Sequence, residues 1–581
     1  MRVHRTAASC VLMVSLILAA CGSPEGGRST GQSDEGRSRV PQRTLLIVAN
    51  QLPMDFAAKG LAGGVGAGTG VAENVPATIL NATLAIADER ARVSPYLAEA
   101  LPQLNTDTWR LFPDGTMETT YRLKQNLTWH DSAPLTAADF VFAWEIYATP
   151  EYGVDRSIPI KFMSAVQAPD PRTVVIRWSE RFADAGRLAD EFPPLPRHIL
   201  EPEHRHSMEG ERSLANSAFW NTNYVGAGPF KLDAHDTAIS IDASAFDAHV
   251  LGRAKIDRVS IRGIPDINAA LAATLAGEVD FGADLFRAQE GLILERDWVS
   301  KGTGVVLWEA LGSRTLNFQF RPEFASPIEV GTDARVRRAI AHAIDKQASF
   351  EVVTGGRGLL SDTRTHPGEE YHPQVDREIV KHPYDPRRAE QLLTEAGFTR
   401  GAGGQWVTPR GVVAELPVWF TGGAALFEQE NSIIVDQLKR IGFDATSKLF
   451  PSSGSREDRS RQPGMHAVGA PVILNYHTEA IPGPANRWSG GNRGNYSNPE
   501  LDRLIEHLLV EVSPDEVLRL TIQMEKLVAS EVPGIFLYWH SRAWNHVANL
   551  KGPKIRLSPN GAGSPLRNIH EWEWVSSVAA S

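Results

Sequence analysis

Short apolar strands alternate with capped helices along this chain, and the alternation limits the folds open to it. Helices are predicted to begin at Asp385-Pro386, Asn498-Pro499 and Ser513-Pro514, because a side-chain acceptor at the N-cap followed by proline is a typical helix start. Apolar runs such as 412–420 and 534–538 separate the helical segments. This alternation predicts α/β layers.

Three local patterns give further predictions. The apolar run 44–50 has no polar alternation, which predicts a strand buried on both faces. Asp114-Gly115 predicts a hairpin turn, and Thr136 with Asp139 three residues later predicts a helix start.

A run of arginines lies in the segment 333–345. Arg335, Arg337 and Arg338 are predicted to form a solvated face of a helix there, because charge runs usually remain hydrated.

Cysteine content and charge exclude several classes of protein. The 581 residues contain two cysteines, Cys10 and Cys21, and the net charge is -10. If the chain is cut before Cys21, it keeps one cysteine and cannot form a disulfide or a cysteine-ligated zinc or iron–sulfur site. A chain with no dense basic stripe is not expected to bind nucleic acid.

The N-terminus has the features of an exported lipoprotein. Residues 1–20 combine a basic start with an apolar run, which predicts a signal peptide. The apolar run is too short to span a membrane as a helix. The sequence Leu18-Ala19-Ala20-Cys21 resembles the bacterial lipobox, which implies cleavage before Cys21 and acylation, palmitate included, of that residue. Residues 21–43 would form a flexible tether to the extracytoplasmic face of the cell membrane, periplasmic or cell-surface. The alternative is an ordinary signal peptide that contains a cysteine.

A set of motifs in a fixed order resembles one family. Residues 129–140 are similar to the Trp-His-Asp-Gly-x-Pro-Leu-Thr-Ala-x-Asp-Val pattern of family 5 extracytoplasmic solute-binding proteins, the peptide- and nickel-type receptors of ABC importers. Further matches follow in the family's order at 225–230, 275–280, 316–319, 333–345, 384–398 and 495–502.

The resemblance implies a fold, a domain division and partners. The fold would be an α/β, bilobal periplasmic-binding-protein-like fold of class II type, with a small domain inserted in the first lobe. Lobe I would comprise 44–78, 215–308 and 540–581, the inserted domain 79–214, and lobe II 309–539. The receptor would be a monomer without a cofactor, would bind an oligopeptide or peptide-like solute, and would deliver it to an ABC permease and ATPase complex.

The resemblance also directs attention to the stretch 474–482. In the peptide receptors, the corresponding strand carries an Asp that pairs with the peptide amino group, and this chain has no Asp there. Glu479 would substitute, or the solute would lack a free amino terminus, because a buried ammonium needs a carboxylate partner. The predicted ligand-binding residues are Asn475, Tyr476, His477, Glu479, Arg487, Trp488, Trp419 and Phe420.

Two other functions stay open. A metal, a metallophore or another organic solute could be the ligand of the same fold. A surface hydrolase with His477, His540 or His546 as general base is a remote alternative, and we expect no enzyme. The sequence contains no His-Glu-x-x-His zinc motif and no Gly-x-x-x-x-Gly-Lys-Ser/Thr phosphate-binding loop.

Overall fold

The computed structural model describes residues 44–61, 74–152, 154, 158–189, 191–208, 214–237, 239–421, 425–451, 455–469, 473–484, 488, 490–557 and 564–575. The predicted signal peptide, Cys21, the tether and Arg487 lie outside these residues. Among the helices described, none is both long and apolar enough to cross a membrane.

The strands are β1 (Thr44–Ala49), β2 (Ala85–Ala87), β3 (Val93–Pro95), β4 (Trp109–Leu111), β5 (Met117–Arg122), β6 (Met163–Asp170), β7 (Thr173–Trp178), β8 (Phe230–Asp236), β9 (Ser240–Ala245), β10 (Arg258–Gly263), β11 (Phe281–Phe286), β12 (Gly304–Phe318), β13 (Gly358–Leu360), β14 (Thr399–Arg400), β15 (Trp406–Val407), β16 (Glu415–Thr421), β17 (Asp444–Phe450), β18 (Met465–Gly469), β19 (Gly534–Val547), β20 (Leu550–Lys551) and β21 (Glu573–Trp574). The helices are α1 (Val75–Ile79), α2 (Ala137–Ala148), α3 (Arg197–Met208), α4 (Ile267–Leu275), α5 (Ala288–Asp297), α6 (Glu329–Thr332), α7 (Ala334–Ala343), α8 (Lys346–Thr354), α9 (His372–Glu378), α10 (Pro386–Glu395), α11 (Ala425–Arg440), α12 (Arg456–Ser460), α13 (Pro499–Val510) and α14 (Pro514–Glu531).

One sheet of eleven strands runs through the molecule in the order β17-β16-β18-β12-β19-β11-β1-β10-β9-β8, with β13 added to β19. The two long strands β12 and β19 pair antiparallel from Gly304↔Val547 to Asn317↔Gly534. We call this pair the crossing. It separates an N-terminal half-sheet (β8 to β11 with β1) from a C-terminal half-sheet (β16 to β18).

Each half-sheet has its own hydrophobic core. The first core contains Leu45 and Trp544, the second contains Leu316 and Tyr538, and the two clusters share no residue. The first core also includes buried residues of the separate four-stranded sheet β4-β5-β7-β6 and of α2. Helices and strands are therefore mixed throughout, and the predicted α/β class is confirmed.

Most of the local predictions are confirmed. Strand β1 lies between β10 and β11, parallel to both, as its unbroken apolar run predicted. The Asp114-Gly115 turn connects the paired strands β4 and β5. Thr136 and Asp139 form a reciprocal capping box at the start of α2. Strand β19 is longer than predicted, because it continues past Tyr538 to pair with β12 and β11 as far as Val547.

The predicted helix starts are also found. Asp385 and Asn498 accept backbone N–H hydrogen bonds at the starts of α10 and α13. Ser513 occupies the N-cap of α14, but its side chain makes no capping hydrogen bond.

The prediction of a solvated arginine face on α7 is wrong for Arg337. Its side chain is 4% exposed, and its guanidinium donates to the carbonyl oxygens of Glu531 (2.8 Å) and Val330 (2.9 Å). A buried cation loses its hydrating water. These carbonyls, together with the ring of Phe320 5.0 Å away, take the place of that water around Arg337. Arg335 stays exposed and pairs with Asp333.

Candidate functional site

The crossing is irregular at its centre, between the two cores. Its register shifts between Glu309 and Gly312, where Gly312 lies opposite His540. A Cβ on Gly312 would stand 2.2 Å from Nε2 of His540, so only glycine lets the imidazole ring lie over the strand here. Ligands of α/β folds bind near the carboxyl ends of strands and between domains, and β11, β16 and β18 all end beside this part of the crossing.

On the side of the C-terminal half-sheet, a buried ion pair connects α11 to the crossing. Arg314 Nη2 donates to Glu430 Oε1 at 2.6 Å, and the two side chains are 5% and 0% exposed. Tyr538 donates its hydroxyl proton to the same carboxylate. The ring centre of Phe427 lies 4.0 Å from the Arg314 guanidinium carbon. Burial alone would lower the pKa of Arg314, but Glu430 outweighs it and the pKa is raised.

On the side of the N-terminal half-sheet, Asp284 is the central residue. Its φ of 51° is unusual for a residue with a Cβ, and the pairing of β11 with β19 breaks between Gly282 and Phe286. The Asp284 carboxylate accepts hydrogen bonds from Arg287 Nη1 (2.9 Å) and Arg542 Nη1 (3.2 Å). The two arginines therefore hold the carboxylate of a residue whose backbone is strained, near the carboxyl end of β11.

His540 lies within electrostatic reach of both groups. Burial, together with the charges of Arg314, Arg287 and Arg542, lowers its pKa to about 3. Its Nδ1 is buried and makes no hydrogen bond to any described residue. The imidazole is thus neutral at ordinary pH and has a ring nitrogen available for a ligand.

The other face of the crossing borders a cavity of about 330 Å³. Successive side chains of a strand point to opposite faces, so Ser541 faces this cavity while His540 faces away from it. Arg556 lines the cavity and pairs with the buried Glu309 at 2.9 Å, and Arg357 pairs with Glu295 at 2.6 Å. The cavity wall is therefore mixed: apolar side chains such as Leu359 and Ile555 stand beside two arginines, and both arginines are paired with carboxylates.

The predicted site residues are distributed over two regions. Tyr476 is buried at the far end of the crossing, where it accepts a hydrogen bond from Arg364 Nη2 (2.5 Å) and donates to Asn317 Oδ1 (3.0 Å). Phe420 packs in the second core. Trp419 is its neighbour on β16, and its indole nitrogen is buried without a hydrogen-bond partner in the described structure.

The remaining predicted residues lie around the short helical turn 478–480. His477 is the N-cap of this turn, with its Nε2 3.5 Å from Glu506 Oε1, and Glu479 in the turn is exposed. Asn475, two residues before the N-cap, is partly buried. Trp488 has a φ of 61°, and two guanidinium groups lie 5.2 Å and 6.0 Å from its ring centre.

The sequence interpretation missed most of the residues that surround the centre of the crossing. These residues are Asp284, Arg287, Arg314, Phe427, Glu430, Tyr538 and Arg542, whereas His540 was named only as the base of a hydrolase. A usable signal existed for one of them, because Asp284 is a carboxylate inside the otherwise apolar run 281–286, which follows the motif at 275–280.

Two of the motifs that carried the resemblance, 129–140 and 225–230, meet in space. His130 lies against the Val225–Phe230 turn, accepting from the N–H of Gly226 (3.2 Å) while its Nε2 lies 3.1 Å from the carbonyl oxygen of Gly228. A family model described as bacterial extracellular solute-binding proteins, family 5 middle, matches residues 99–479. The chain belongs to this family.

Individual relatives agree with this assignment. The oligopeptide-binding protein AppA of Bacillus subtilis is 23% identical over 98% of both chains. Its structure in complex with a nonapeptide has a TM-score of 0.68 at 21% identity, over 92% of this chain and 99% of that one. The heme-binding protein A of Haemophilus influenzae is 25% identical over 67% of this chain and 68% of that one.

A solved structure of similar fold is NikZ from Campylobacter jejuni in complex with Ni(L-His). It has a TM-score of 0.70 at 22% identity and covers 92% of this chain and 100% of its own. The chain is therefore an extracytoplasmic solute-binding protein with the bilobal α/β fold, and its family is one of binding proteins rather than enzymes.

Proposed function

We propose that this protein captures an oligopeptide or a peptide-like solute outside the cytoplasm and delivers it to an ABC permease and ATPase complex. The observation that carries the proposal is the similarity to oligopeptide-binding protein AppA, which extends over 98% of both chains. The absence of the amine-binding Asp from 474–482 leaves Glu479 as the proposed partner of a peptide ammonium.

The crossing is the proposed hinge of this receptor. Lobe I would comprise 44–78, 215–308 and 540–581, with 79–214 inserted, and lobe II would comprise 309–539. A solute that contacts both lobes stabilises the closed arrangement in proportion to its differential affinity for that arrangement. The permease would then recognise the closed, solute-loaded protein.

The protein is further proposed to work as a membrane-anchored monomer. Cleavage before Cys21 and acylation of that cysteine would attach it to the membrane. Residues 22–43 would give the body enough reach to contact a permease.

A thermal-shift experiment tests the proposed solute class. Peptides of two to nine residues are added to the purified protein, and the melting temperature Tm is measured. A peptide at 100 times its Kd stabilises a protein by about 2.7 kcal/mol, which a melting curve detects. If no peptide raises Tm while another solute does, the peptide assignment fails.

The predicted contacts are tested in the same assay. Trp488→Ala is expected to weaken binding of any peptide that raises Tm, because an aromatic ring beside two cations suits a buried organic ligand. Trp144→Ala, in α2, is the matched control and is expected to leave the Kd unchanged.

A metal complex or haem is the second candidate solute. It is favoured by the fold shared with NikZ, solved with Ni(L-His), and by the similarity to heme-binding protein A. Among the described residues, His507, Glu511 and Glu516 are the group whose spacing would suit a metal ion, and they lie where α13 ends and α14 begins rather than at the crossing. Nickel–histidine and haemin are therefore added as separate arms of the thermal-shift experiment.

A further inference from the structure

Positive and negative charges do not balance around Asp284. Its carboxylate is shared by Arg287 and Arg542, so two cations contact one anion. The third arginine at this place, Arg314, is matched by Glu430, to which it makes three hydrogen bonds. Among the side chains joined by these ion pairs, three arginines therefore face two carboxylates, while the nearby Glu290 carboxylate accepts from the backbone N–H of Arg287.

Both arginines that share Asp284 have unused hydrogen-bond donors. Within the part of the chain that the structure describes, the guanidinium hydrogen bonds of Arg287 and of Arg542 all come from Nη1. Each guanidinium thus has an Nε–H and an Nη2–H without a protein acceptor there, and this pair of parallel donors matches a carboxylate. The side chains of Arg287 and Arg542 are 38% and 26% exposed, so a solute can reach them.

The geometry of Asp284 indicates that Arg287 and Arg542 are held in place. A non-glycine residue in the left-handed region persists only where its surroundings fix it, and such residues cluster at ligand sites. The Asp284 side chain is 3% exposed, and its two oxygens each accept from a different arginine. Its carboxylate therefore fixes the spacing of two guanidinium groups that come from different places, the N-cap of α5 and strand β19.

We propose that Arg287 and Arg542, positioned by Asp284, bind a carboxylate group of the solute. The neutral His540, whose buried Nδ1 has no partner among the described residues, lies beside them as a further polar contact for the same group. This inference rests on the proposed function and makes it more specific: the solute is an acid. For a peptide, the carboxylate belongs either to the C-terminus or to an Asp or Glu side chain.

Matched peptides test the inference. Isothermal titration calorimetry compares peptides with uncharged side chains as free acids and as C-terminal amides, together with an amidated peptide that contains Glu. Loss of the bound carboxylate is expected to raise the Kd of the wild-type protein at least about tenfold, as for other charge-assisted hydrogen bonds. Restoration of binding by the Glu peptide identifies a side-chain carboxylate, and its failure identifies the C-terminus.

Variants assign the effect to the two arginines. In Arg542→Gln and Arg287→Gln, the acid and the amide should bind within about threefold of each other, and Arg542→Lys should fall between these variants and the wild type, because it keeps the charge but loses the planar fork. Arg296→Gln is the matched control, since Arg296 is on the same helix and pairs with Asp297. A urea unfolding curve for each variant shows that it is folded.

The outcomes separate this inference from the proposed function. Equal binding of the free acid, the amide and the amidated Glu peptide by the wild type overturns the carboxylate site but leaves the receptor. Unchanged discrimination in Arg542→Gln and Arg287→Gln overturns it as well. If neither peptide binds, the peptide assignment fails, and mass spectrometry of the solute released from the denatured wild-type protein decides: a neutral or cationic solute overturns the carboxylate site, and an acidic one supports it. If no solute is released either, both proposals fall.

Discussion

The ion pair between Arg314 and Glu430 gives the sharpest test of how the crossing is stabilised. Glu430→Gln removes the negative charge while keeping the size of the side chain and an acceptor for Tyr538. Arg314 then remains as a buried cation, 5% exposed, beside a neutral amide and the Phe427 ring in place of its counter-ion. Loss of one partner of a buried pair costs about 3–5 kcal/mol, because the remaining charge has neither water nor a counter-ion.

The expected change in melting temperature follows from the size of the molecule. A unit that spans residues 43–581 has an entropy of unfolding of about 1.1 kcal/mol/K near its Tm. A loss of about 4 kcal/mol therefore lowers Tm by about 3–4 °C. Differential scanning calorimetry at pH 7 measures this shift in the absence of added solute.

Two companion variants make the result interpretable. Arg314→Met combined with Glu430→Gln removes the unpaired cation and should recover most of the lost Tm. Glu516→Gln breaks a pair with Arg519 on the exposed surface of α14 and should leave Tm unchanged, since surface pairs contribute little. A Glu430→Gln variant that melts within 1 °C of the wild type, or a double variant that melts lower than the single one, would refute the reasoning.

Three further predictions concern other parts of the chain. Burial lowers the pKa of His466 to about 4, so its contribution to stability is complete above its unfolded pKa of about 6.5 and is lost as the pH falls towards 4. We expect the free energy of unfolding to fall by about 2 kcal/mol between pH 6.5 and 5, and the urea midpoint of His466→Gln to depend less on pH. Equal pH dependence in the two proteins would contradict this. Arg337→Gln should lower the free energy of unfolding by about 3 kcal/mol because two buried carbonyls lose a charged donor, whereas Arg335→Gln should leave the urea midpoint unchanged. Cys21→Ser should move the protein from the membrane fraction to the soluble fraction with its solute affinity intact, and a variant that stays with the membrane would exclude the lipid anchor.

Local rules account for much of the fold. The N-caps Asp385 and Asn498 are found where a polar side chain precedes proline, because the hydrogen bond that makes a cap involves residues only two or three positions apart. The strand β1 is likewise found where an apolar run without alternation predicts burial on both faces. Such features depend on neighbours in the sequence, so a sequence contains all the information they need.

The crossing could not be predicted in this way. The partners Arg314 and Glu430 are 116 positions apart, and Asp284 and Arg542 are 258 positions apart. They meet because β12 and β19 pair along their whole length and carry side chains from both half-sheets to one place. Arg337 shows the same limit, since the carbonyl of Glu531 that holds it is 194 positions away. A charged residue is usually exposed, and Arg337 is buried because its partner is distant in the sequence.

The two sides of the crossing differ in the hydrogen-bond donors that they offer to a solute. Arg314 on the C-terminal side directs its Nε–H and Nη2–H at Glu430, whereas Arg287 and Arg542 on the N-terminal side have no acceptor for these same donors among the described residues. A carboxylate bound there orients the solute but favours no closure by itself, because a contact made equally in the open and closed forms shifts no equilibrium. Closure must then depend on what the rest of the solute touches across the crossing. We therefore expect small carboxylic acids that reach only the arginines to bind without closing the protein, and solutes long enough to contact α11 to close it.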